Sequence, residues 1–416
     1  MSNMADCKMN IEPGATKIRI WFSLAAFVIA APAYAAPPPL IEVRIGSETL
    51  QGKVYAHNTK SFWLQSQDGR LRHLASDDVH KFRKIAPQFS AWSASVVRDN
   101  LRREFGKGFE FAGTRHYVVG APTSQKARLY AETFEELFRM FQMYFSVRGF
   151  KISEPEFPLI AIVFPDADSF VRYAAAENVD GARSYLGYYM SLSNRIAFYE
   201  TPAAQQSQLL PTQIFPSGSV GPFADVGLPF ARQDVPWLDD VLLLDGGPWG
   251  TFQGSLKDTL IHEATHQAAF NAGLHSRIGP NPKWVVEGLA TVFEAPGIRN
   301  SGGSGPARTR INHGRFMAFG DFCKSRLKPK SLEAFLSTDD LFKTSMPDLY
   351  SEAWALSFFL IETRPRAYAE YLRTITARDP LHDYSSEDRV ADFKNTISKE
   401  LPLLEAEFLR FIAAIK

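Results

Sequence analysis

Two histidines and a glutamate within five consecutive residues could carry metal chemistry in this chain. The stretch reads His262-Glu263-Ala264-Thr265-His266. On a helix, residues four positions apart lie on the same face, so both imidazoles would point toward a single metal ion. Glu263 would lie beside that ion, where a carboxylate can take a proton from a bound water molecule. The spacing therefore predicts a zinc-dependent hydrolase, most simply a peptidase.

A second glutamate, Glu287, could complete the metal site. It stands in a second predicted helix and would supply an oxygen ligand. Two histidines and one carboxylate leave the fourth position of a tetrahedral zinc ion open for water, which is what catalytic zinc requires.

Two predicted helices must position these side chains. Around the histidines, apolar residues recur at helical spacing, at Leu260, Ile261, Ala264, Ala268 and Ala272. For the second helix we predict Asn281 as the N-cap, Pro282 as the first helical residue and a stop at Pro296-Gly297. Only residues 274–280 separate the two helices, so they can pack as neighbours and bring Glu287 to the histidines.

This arrangement resembles the gluzincin metallopeptidases, which include thermolysin-like and M1 aminopeptidase-like enzymes. Twenty residues separate His266 from Glu287, close to the interval in those groups. The sequence motifs are most similar to those of the uncharacterised bacterial DUF1570 family. The first is a Trp-x-x-Glu-Gly-Leu-Ala motif, here at 284–290, and the second is a Tyr-x-x-Ala-Trp-Ala-Leu motif, here at 350–356. The resemblance is most specific from residue 255 to residue 362 and looser from about residue 110 onward.

The resemblance implies a role for each matched residue. His262, His266 and Glu287 would ligate zinc, and Glu263 would be the general base. Tyr350 lies sixty-three residues after Glu287, near the position where M1-type enzymes keep a tyrosine that stabilises the oxyanion. The alternative for Tyr350 is an ordinary core or surface aromatic residue.

Further polar residues near the motif could support the ligands or be unrelated to them. Glu294, two turns after Glu287, could accept the outer N–H of a ligand histidine, or it could be a solvated helix carboxylate. Asn271 could act in the same way or simply end its helix. His275 and His313 are typical of ordinary loop histidines, so we do not predict them as ligands.

One feature of the M1 enzymes is missing from this sequence. No Gly-x-Met-Glu-Asn-like segment precedes the predicted zinc helix. In M1 enzymes the glutamate of that segment holds the free amino terminus of the substrate. Aminopeptidase activity is therefore not predicted, and an endopeptidase or a more specialised hydrolase remains open.

The amino-acid composition limits the classes of protein to which this chain can belong. The chain has 416 residues, 45% of them hydrophobic, so it can bury a sizeable core. With 46 basic and 45 acidic residues and no basic cluster, nucleic-acid binding is not expected. Cys323 is the one cysteine outside the amino-terminal segment, and we interpret it as a small core residue rather than a nucleophile.

The amino terminus is typical of a secretory signal peptide. Lys17 and Arg19 precede an apolar run over residues 20–31, and Ala33-Tyr34-Ala35 is a small-residue cleavage site. The run is too short to span a bilayer comfortably. We predict that residues 1–35 are removed, that the protein is secreted or periplasmic, and that no stable membrane span remains. An uncleaved anchor is the alternative.

The remaining chain is predicted to have an α+β fold in three parts. Residues 36–90 contain short alternating strands, at 41–45, 52–56, 62–64 and 71–74, which indicate a small SH3-like barrel. That module could bind a peptide or cell-wall ligand, or it could be a passive packing module. Residues 110–300 would form a gluzincin-like sheet lobe with the zinc-binding helices, and residues 301–416 a helical carboxy-terminal lobe.

The sheet lobe has its own predicted elements. We predict strands at 116–119 and 159–164, helices at 124–148 and 166–176, and a hairpin from the segments 184–189 and 195–199. In gluzincins such a sheet edge lines the cleft and pairs with extended substrate. The long Pro- and Gly-rich stretch from Thr201 to Gly254 is interpreted as a lid or as a disordered insertion.

Taken together, these patterns predict a secreted zinc metallopeptidase with a peptide or protein substrate. The competing hypothesis is a non-catalytic, secreted zincin-like protein that captures a ligand with its amino-terminal module. Glu263 favours the enzyme, because a purely structural metal site has no use for a base beside its ligands. The sequence does not indicate an oligomeric state.

Overall fold

The computed structural model describes residues 37–79, 81–200, 254–300, 305–343 and 345–415, with only the backbone at 254, 255 and 300. In this part of the chain there are two five-stranded sheets and twelve α-helices, so the α+β prediction is confirmed. The predicted signal peptide lies outside the described residues, as does the predicted lid except for Gly254. No described helix is both long and apolar enough to cross a membrane.

The first sheet forms the amino-terminal module, and all of its strand pairs are antiparallel. Its order is β4-β3-β2-β1-β5, where the strands are β1 Leu40–Ile45, β2 Glu48–His57, β3 Ser61–Gln65, β4 Leu71–Ala75 and β5 Lys81–Ala86. The first half of β2 pairs with β1 and its second half pairs with β3. Gly52 stands at this change of partner, where a Cβ would lie within 3.0 Å of the Gln65 carbonyl oxygen. A glycine at such a point is typical of a bend at a barrel corner.

The four strands predicted in this module are confirmed, and β5 adds a fifth. Alternation along β1 buries Ile41 and Val43, which pack with Leu50 and Leu64 in a small separate core. Because this core contains only these four buried side chains among the described residues, it is too small to stabilise the module alone.

The second sheet has the order β6-β7-β8-β10-β9. Its strands are β6 Glu110–Gly113, β7 Tyr117–Ala121, β8 Leu159–Phe164, β9 Gly187–Met190 and β10 Arg195–Tyr199. The three central strands β7, β8 and β10 are parallel, and antiparallel strands form both edges. Every residue of β8 is buried, as expected for a parallel strand that is covered on both faces.

Helices cover the two faces of this sheet in pairs. The helices are α1 Ala94–Phe105, α2 Ser124–Ser146, α3 Ala167–Ala176 and α4 Gly254–Asn271. Side chains alternate along β8, so Ala161 packs with the core on the side of α2 and α4, whereas Ile162 packs with the core on the side of α1 and α3. The predicted strands, helices and hairpin of this lobe are confirmed with small shifts at their ends, while α1 and β6 were not predicted.

The carboxy-terminal half is helical, as predicted. Its helices are α5 Lys283–Phe293, α6 Pro296–Asn300, α7 His313–Ser325, α8 Leu332–Ser337, α9 Met346–Thr363, α10 Pro365–Thr376, α11 Ser386–Thr396 and α12 Leu401–Ala414. One hydrophobic core contains residues from Tyr117 on the sheet to Ile412 on α12, so the sheet and these helices share it. Burial of this shared apolar surface is the main stabilising term for both.

The predicted ends of the helix that carries Glu287 are wrong. Pro282 occupies the N-cap position, and α5 begins at Lys283. The backbone N–H of Lys283 donates to Asp339 Oδ1 at 2.8 Å, so a distant aspartate caps the helix. The Asn281 side chain instead closes the preceding loop, where it accepts from the Ser276 N–H at 2.9 Å.

The predicted carboxy-terminal end of this helix also lies too far along the chain. Helix α5 ends at Phe293, and Pro296 starts the separate short helix α6 instead of terminating α5. Proline is accepted in the first turn of a helix, because the amide hydrogen that it lacks has no partner there.

Helix α5 packs on α9 through a close approach at Gly288. A Cβ at position 288 would lie within 3.0 Å of both Ser357 Oγ and the carbonyl oxygen of Ala353. Gly288 lies in the first motif that resembles the DUF1570 family, Ala353 lies in the second, and Ser357 directly follows the second. The two motifs therefore form the two sides of one helix–helix contact. The approach requires a residue without a side chain on α5.

We expect Gly288→Ala to lower the free energy of unfolding by about 1–3 kcal/mol, because the methyl group overpacks the α5–α9 contact against a backbone carbonyl. Chemical denaturation measures this change. Gly320→Ala on α7 is the matched control, since nothing lies within 4 Å of the added Cβ. The control should keep or raise stability, by about 0.5–1 kcal/mol. Equal stability of Gly288→Ala and the wild type would contradict the close packing.

Candidate metal centre

Helices α4 and α5 bring the three predicted ligands together. The Nε2 atoms of His262 and His266 lie 2.9 Å apart, and Glu287 Oε2 lies 3.3 Å from the first and 3.7 Å from the second. The three ligand atoms are all within 4.8 Å of one another, and each side chain is at least 96% buried. Three donors that converge at this range in the core are the arrangement that a small cation needs.

The outer nitrogen of His262 is held by Glu294, as one of the two interpretations of that residue predicted. His262 Nδ1 lies 2.7 Å from Glu294 Oε1. The other carboxylate oxygen of Glu294 accepts a hydrogen bond of 2.7 Å from the side-chain amide of Asn312, a residue that the sequence did not single out. Because Nδ1 is engaged, the ring keeps one orientation and presents Nε2 to the cluster.

The buried carboxylates of this cluster favour the protonated form of His262. Burial alone would lower the pKa of His262, but Glu287 and Glu294 within hydrogen-bonding reach raise it to about 10. The pKa of His266 falls well below its usual value because of burial and the neighbouring charge of His262. Burial would raise the pKa of Glu294, yet the contact with His262 and the charge of Arg315 keep it low.

The donor set fits zinc. Two imidazole nitrogens and a carboxylate oxygen are common zinc ligands, and the negative charge of Glu287 and Glu294 would offset part of a divalent charge. Glu287 Oε2 is buried without a well-aligned hydrogen bond in the described part of the chain, so it is an acceptor that a cation would satisfy. These three residues are the one such cluster among the described residues.

Glu263 and Tyr350 lie beside the three clustered residues. Glu263 is completely buried on α4, next to His262 in the chain. Tyr350, on α9, is 5% exposed and packs against Phe342 with the ring centroids 5.8 Å apart. Burial raises the pKa of Tyr350 well above its usual value, and the charges of Glu287 and Glu263 raise it further. The phenol is therefore protonated at neutral pH and is a hydrogen-bond donor.

The structure thus brings Tyr350 to the cluster across a long sequence separation. Its hydroxyl has no well-aligned hydrogen-bond partner among the described residues, although Glu287 is close. The interaction with Glu287 keeps this buried phenol beside the cluster, where its O–H suits a role toward a bound molecule.

Asn271 is the last residue of α4, as one of its two interpretations predicted, and the other interpretation, support of a ligand histidine, is wrong. Its side-chain amide instead pairs with the side chain of Asn194 at 2.9 and 2.7 Å. Asn194 lies in the turn before β10 with a positive φ of 58°. One turn earlier on α4, Gln267 donates to the carbonyl oxygens of Ile160 and Asn194 at 3.1 and 2.8 Å. These bonds attach the histidine-bearing helix to the sheet.

The other predicted non-ligands lie outside the cluster. His275 is buried against Phe270, with the ring centroids 5.2 Å apart, and burial lowers its pKa to about 3. His313 is the exposed first residue of α7. Cys323 is half-buried, and burial raises its pKa to about 11, so the thiol is protonated at neutral pH and a poor nucleophile.

The model of a family described as "Protein of unknown function (DUF1570)" matches residues 257–382. The match starts within α4 and contains His262, His266 and Glu287 as well as Glu263 and Tyr350. It supports the DUF1570 resemblance. No curated protein matches the chain.

We expect Glu294→Gln to lower the affinity for zinc about 10- to 100-fold, because an amide holds the outer nitrogen of His262 less strongly than a carboxylate does. Competition with a chromophoric chelator measures the affinity. Glu370→Gln, at an exposed position on α10, is the control and should bind zinc like the wild type. An unchanged zinc affinity in Glu294→Gln would show that this contact does not support a metal ligand.

We expect the neutral, buried His275 to make stability depend on pH. Its folded pKa lies below the unfolded value, so the unfolded chain binds the extra proton as the pH falls. This contribution is complete above about pH 6.5 and is lost toward about pH 3, at up to about 1.4 kcal/mol per pH unit.

The comparison is between the wild type and His275→Gln, unfolded by denaturant in the presence of a chelator. The stability advantage of the wild type should shrink steadily between about pH 6.5 and pH 4, because only the wild type carries the titrating ring. An advantage that is constant over this range contradicts a neutral His275.

Proposed function

Starting from a match to a family of unknown function, we propose that this protein is a zinc-dependent peptidase of the gluzincin type. The observation that carries the proposal is the buried convergence of His262, His266 and Glu287, with a second carboxylate, Glu263, and the phenol of Tyr350 beside them. A structural metal site is usually closed by four protein ligands, whereas three ligands with a base and a donor nearby are typical of catalysis.

Zinc, when bound, supplies Lewis acidity and a water molecule of lowered pKa. The residues of the chain would do the rest. Glu263 would accept the proton of the attacking water and return it to the leaving nitrogen of the peptide. Tyr350, which is protonated at neutral pH, would donate a hydrogen bond to the developing oxyanion.

The substrate we propose is a peptide bound in an extended conformation. Strand β9 is an edge strand of the second sheet and pairs only with β10 among the described strands. Helix α4 packs against β9, so an added strand at that edge would run beside the histidine-bearing helix. Backbone pairing of this kind binds peptides with little dependence on their sequence.

The remaining expectations form part of the same proposal. We propose that residues 1–35 are a cleaved signal peptide and that the enzyme acts outside the cytoplasm. We also propose that the amino-terminal module is SH3-like, which is supported by its five antiparallel strands and by the change of partner along β2 at Gly52. The missing amino-terminus-binding segment argues against aminopeptidase activity.

The test compares the wild type with Glu263→Gln for zinc content and for cleavage of a broad peptide library. We expect one zinc ion in both proteins and a loss of kcat of about 10²–10⁴ in the variant, because the amide cannot take the proton. Glu352→Gln is the matched control. Glu352 is a buried carboxyl on α9, and burial raises its pKa to about 8. The side chain at this position is therefore uncharged at neutral pH both in the wild type and in Glu352→Gln.

The same assay measures the contribution of Tyr350. We expect Tyr350→Phe to keep its zinc and to lose about 10²–10³ in kcat, as for loss of an oxyanion donor. Tyr371→Phe is the control, since its buried hydroxyl also lacks a hydrogen-bond partner in the described chain but its ring stacks on Trp284. It should keep full activity.

Three results would contradict the proposal or a part of it. If the wild type retains no zinc, the interpretation of the cluster fails. If Glu263→Gln cleaves every substrate as the wild type does, Glu263 is not the general base. If zinc is bound but no peptide is cleaved, the protein is better described as a non-catalytic, zinc-containing binding protein. In that case the amino-terminal module becomes the first place to look for ligand binding.

A further inference from the structure

The amino-terminal module has a free sheet edge at strand β5. This strand is last in the order of the first sheet and pairs only with β1 among the described strands. No backbone hydrogen bond of residues 81–86 outside that pairing is found in the described part of the chain. The other edge strand, β4, is docked at its start, because the N–H of Leu71 donates to the carbonyl oxygen of Leu192 in the β9–β10 turn at 2.8 Å. The unpaired backbone groups of β5 are therefore available to an added strand.

The side chains of this edge are exposed on both faces of the strand. Four consecutive residues are exposed, namely Lys81, Phe82, Arg83 and Lys84. Phe82 lies opposite the buried Val43 on β1, so its ring is on the face that carries the core of the module. The ring is nevertheless 59% exposed and does not belong to that core. The core face of the sheet is thus open to solvent at β5.

The charge of this edge is positive. Lys81 and Lys84 make no ion pair within the described residues. Arg83 pairs with Glu42 on β1 at 2.9 Å, and the arginine side chain remains 70% exposed. The acidic residues 77 and 78 belong to the turn before the strand and not to the edge itself. One carboxylate therefore stands against three cations of β5.

A structural explanation accounts for part of this pattern. Lysines on an edge strand are a common protection against edge-to-edge association. In a second copy paired through β5, cations of one strand would lie opposite cations of the other, which is unfavourable. This protection does not explain Phe82, because an exposed aromatic ring beside unpaired backbone groups favours association. The two features together disfavour a second copy of this chain and suit a partner of opposite charge.

We propose that β5 binds an acidic, extended segment of a partner protein as an added strand. Backbone hydrogen bonds to the free edge provide the affinity, and acidic side chains opposite Lys81 and Lys84 provide the selectivity. Since side chains alternate along a strand, Lys84 shares a face with Phe82 and Lys81 lies on the other face. The segment therefore carries acidic residues on both faces and an apolar residue that covers Phe82. The site does not involve the metal centre, so it exists whether or not the protein is a peptidase.

The test measures the binding of fluorescent peptides to the full chain with Glu263→Gln, which prevents cleavage if the protein is a peptidase. The first probe is a peptide of glutamate, valine and threonine about six residues long, the usual length of a strand. The second probe has lysine in place of each glutamate. The third keeps the glutamates but is N-methylated at every backbone nitrogen, so it cannot donate the hydrogen bonds of an added strand. Fluorescence anisotropy gives the dissociation constants.

We expect the glutamate peptide to bind at least about tenfold more tightly than the lysine peptide, because like charges across an interface are strongly unfavourable. The N-methylated peptide should not bind. Lys81→Glu/Lys84→Glu should weaken binding of the glutamate peptide at least about tenfold and strengthen binding of the lysine peptide. Phe82→Thr should weaken binding of the glutamate peptide up to about fivefold, as for loss of one cross-strand aromatic contact. Added salt should weaken the binding of the glutamate peptide to the parent protein.

Two matched controls lie elsewhere on the surface. Lys324→Glu/Lys328→Glu makes the same change of charge at two exposed positions of the helical half. Met317→Thr removes an apolar side chain on α7 that is 62% exposed, close to the exposure of Phe82. Both control proteins should bind the glutamate peptide like the parent protein. Thermal unfolding confirms that each variant is folded.

Several outcomes would overturn the proposal. One is that the glutamate and lysine peptides bind equally or not at all, and another is that the control variants lose as much affinity as the β5 variants. Binding of the N-methylated peptide as tightly as the glutamate peptide would show attraction by charge without an added strand.

Two other occupants of the edge are tested in parallel. If vesicles with an anionic phospholipid bind in a Lys81- and Lys84-dependent way and the glutamate peptide does not, the edge is a membrane contact and the proposal fails. If the parent protein sediments as a dimer and Lys81→Glu/Lys84→Glu as a monomer, β5 is an interface between copies of this chain, and the proposal fails in that case too.

Discussion

The contact between α5 and α9 at Gly288 is the constraint on which the rest of the candidate centre depends. Because residue 288 has no side chain, the two helices approach until the α5 backbone meets Ser357 and the Ala353 carbonyl. Glu287, the residue before Gly288, then lies next to the histidines. Tyr350, at the start of the second motif on α9, lies beside Glu287. A wider separation of these helices would move a ligand and the phenol apart, and no change in either residue alone could restore the arrangement.

The electrostatics of the cluster follow from burial. Glu263, Glu287 and Glu294 lie in a core that disfavours isolated charge, so each needs a compensating partner. Glu294 has one in His262 and in the amide of Asn312. Glu287 has imidazole nitrogens at 3.3 and 3.7 Å and the neutral phenol of Tyr350 nearby, so its negative charge is one that a cation would balance. Acidic groups thus surround the histidines, and the charge of Arg315 offsets part of that of Glu294.

The helix that carries the histidines is attached to the sheet by polar bonds. Gln267 and Asn271 bind the backbone and side chains of the second sheet, and the buried Arg277 just beyond the helix binds the carbonyls of Ser191 and Gly69 at 2.8 and 2.7 Å. Through Arg277, the loop after α4, the β9–β10 turn and the amino-terminal module form one bonded junction. Every one of these acceptors is a backbone carbonyl or a side-chain amide group. The hydrogen bonds therefore hold α4 in a fixed position relative to the sheet.

The local part of this protein was predictable from its sequence, and the long-range part was not. Periodicity determined the helices around His262 and Glu287, the apolar strand β8 and four strands of the first module, because burial of alternate or every third to fourth residue is visible in one segment. The spacing of the two histidines likewise determined that they share a face. Helix α1 was missed since only Val97 and Leu101 are buried in it, and β6 since it is short. Only the tertiary structure decided that Asp339 caps α5, that Asn312 holds Glu294, that Asn271 binds the sheet, and that Lys283 and Arg315 each contact the Tyr350 ring. Those contacts join residues from separate helices and loops, and their geometry is set by how the helices pack, which no single segment encodes.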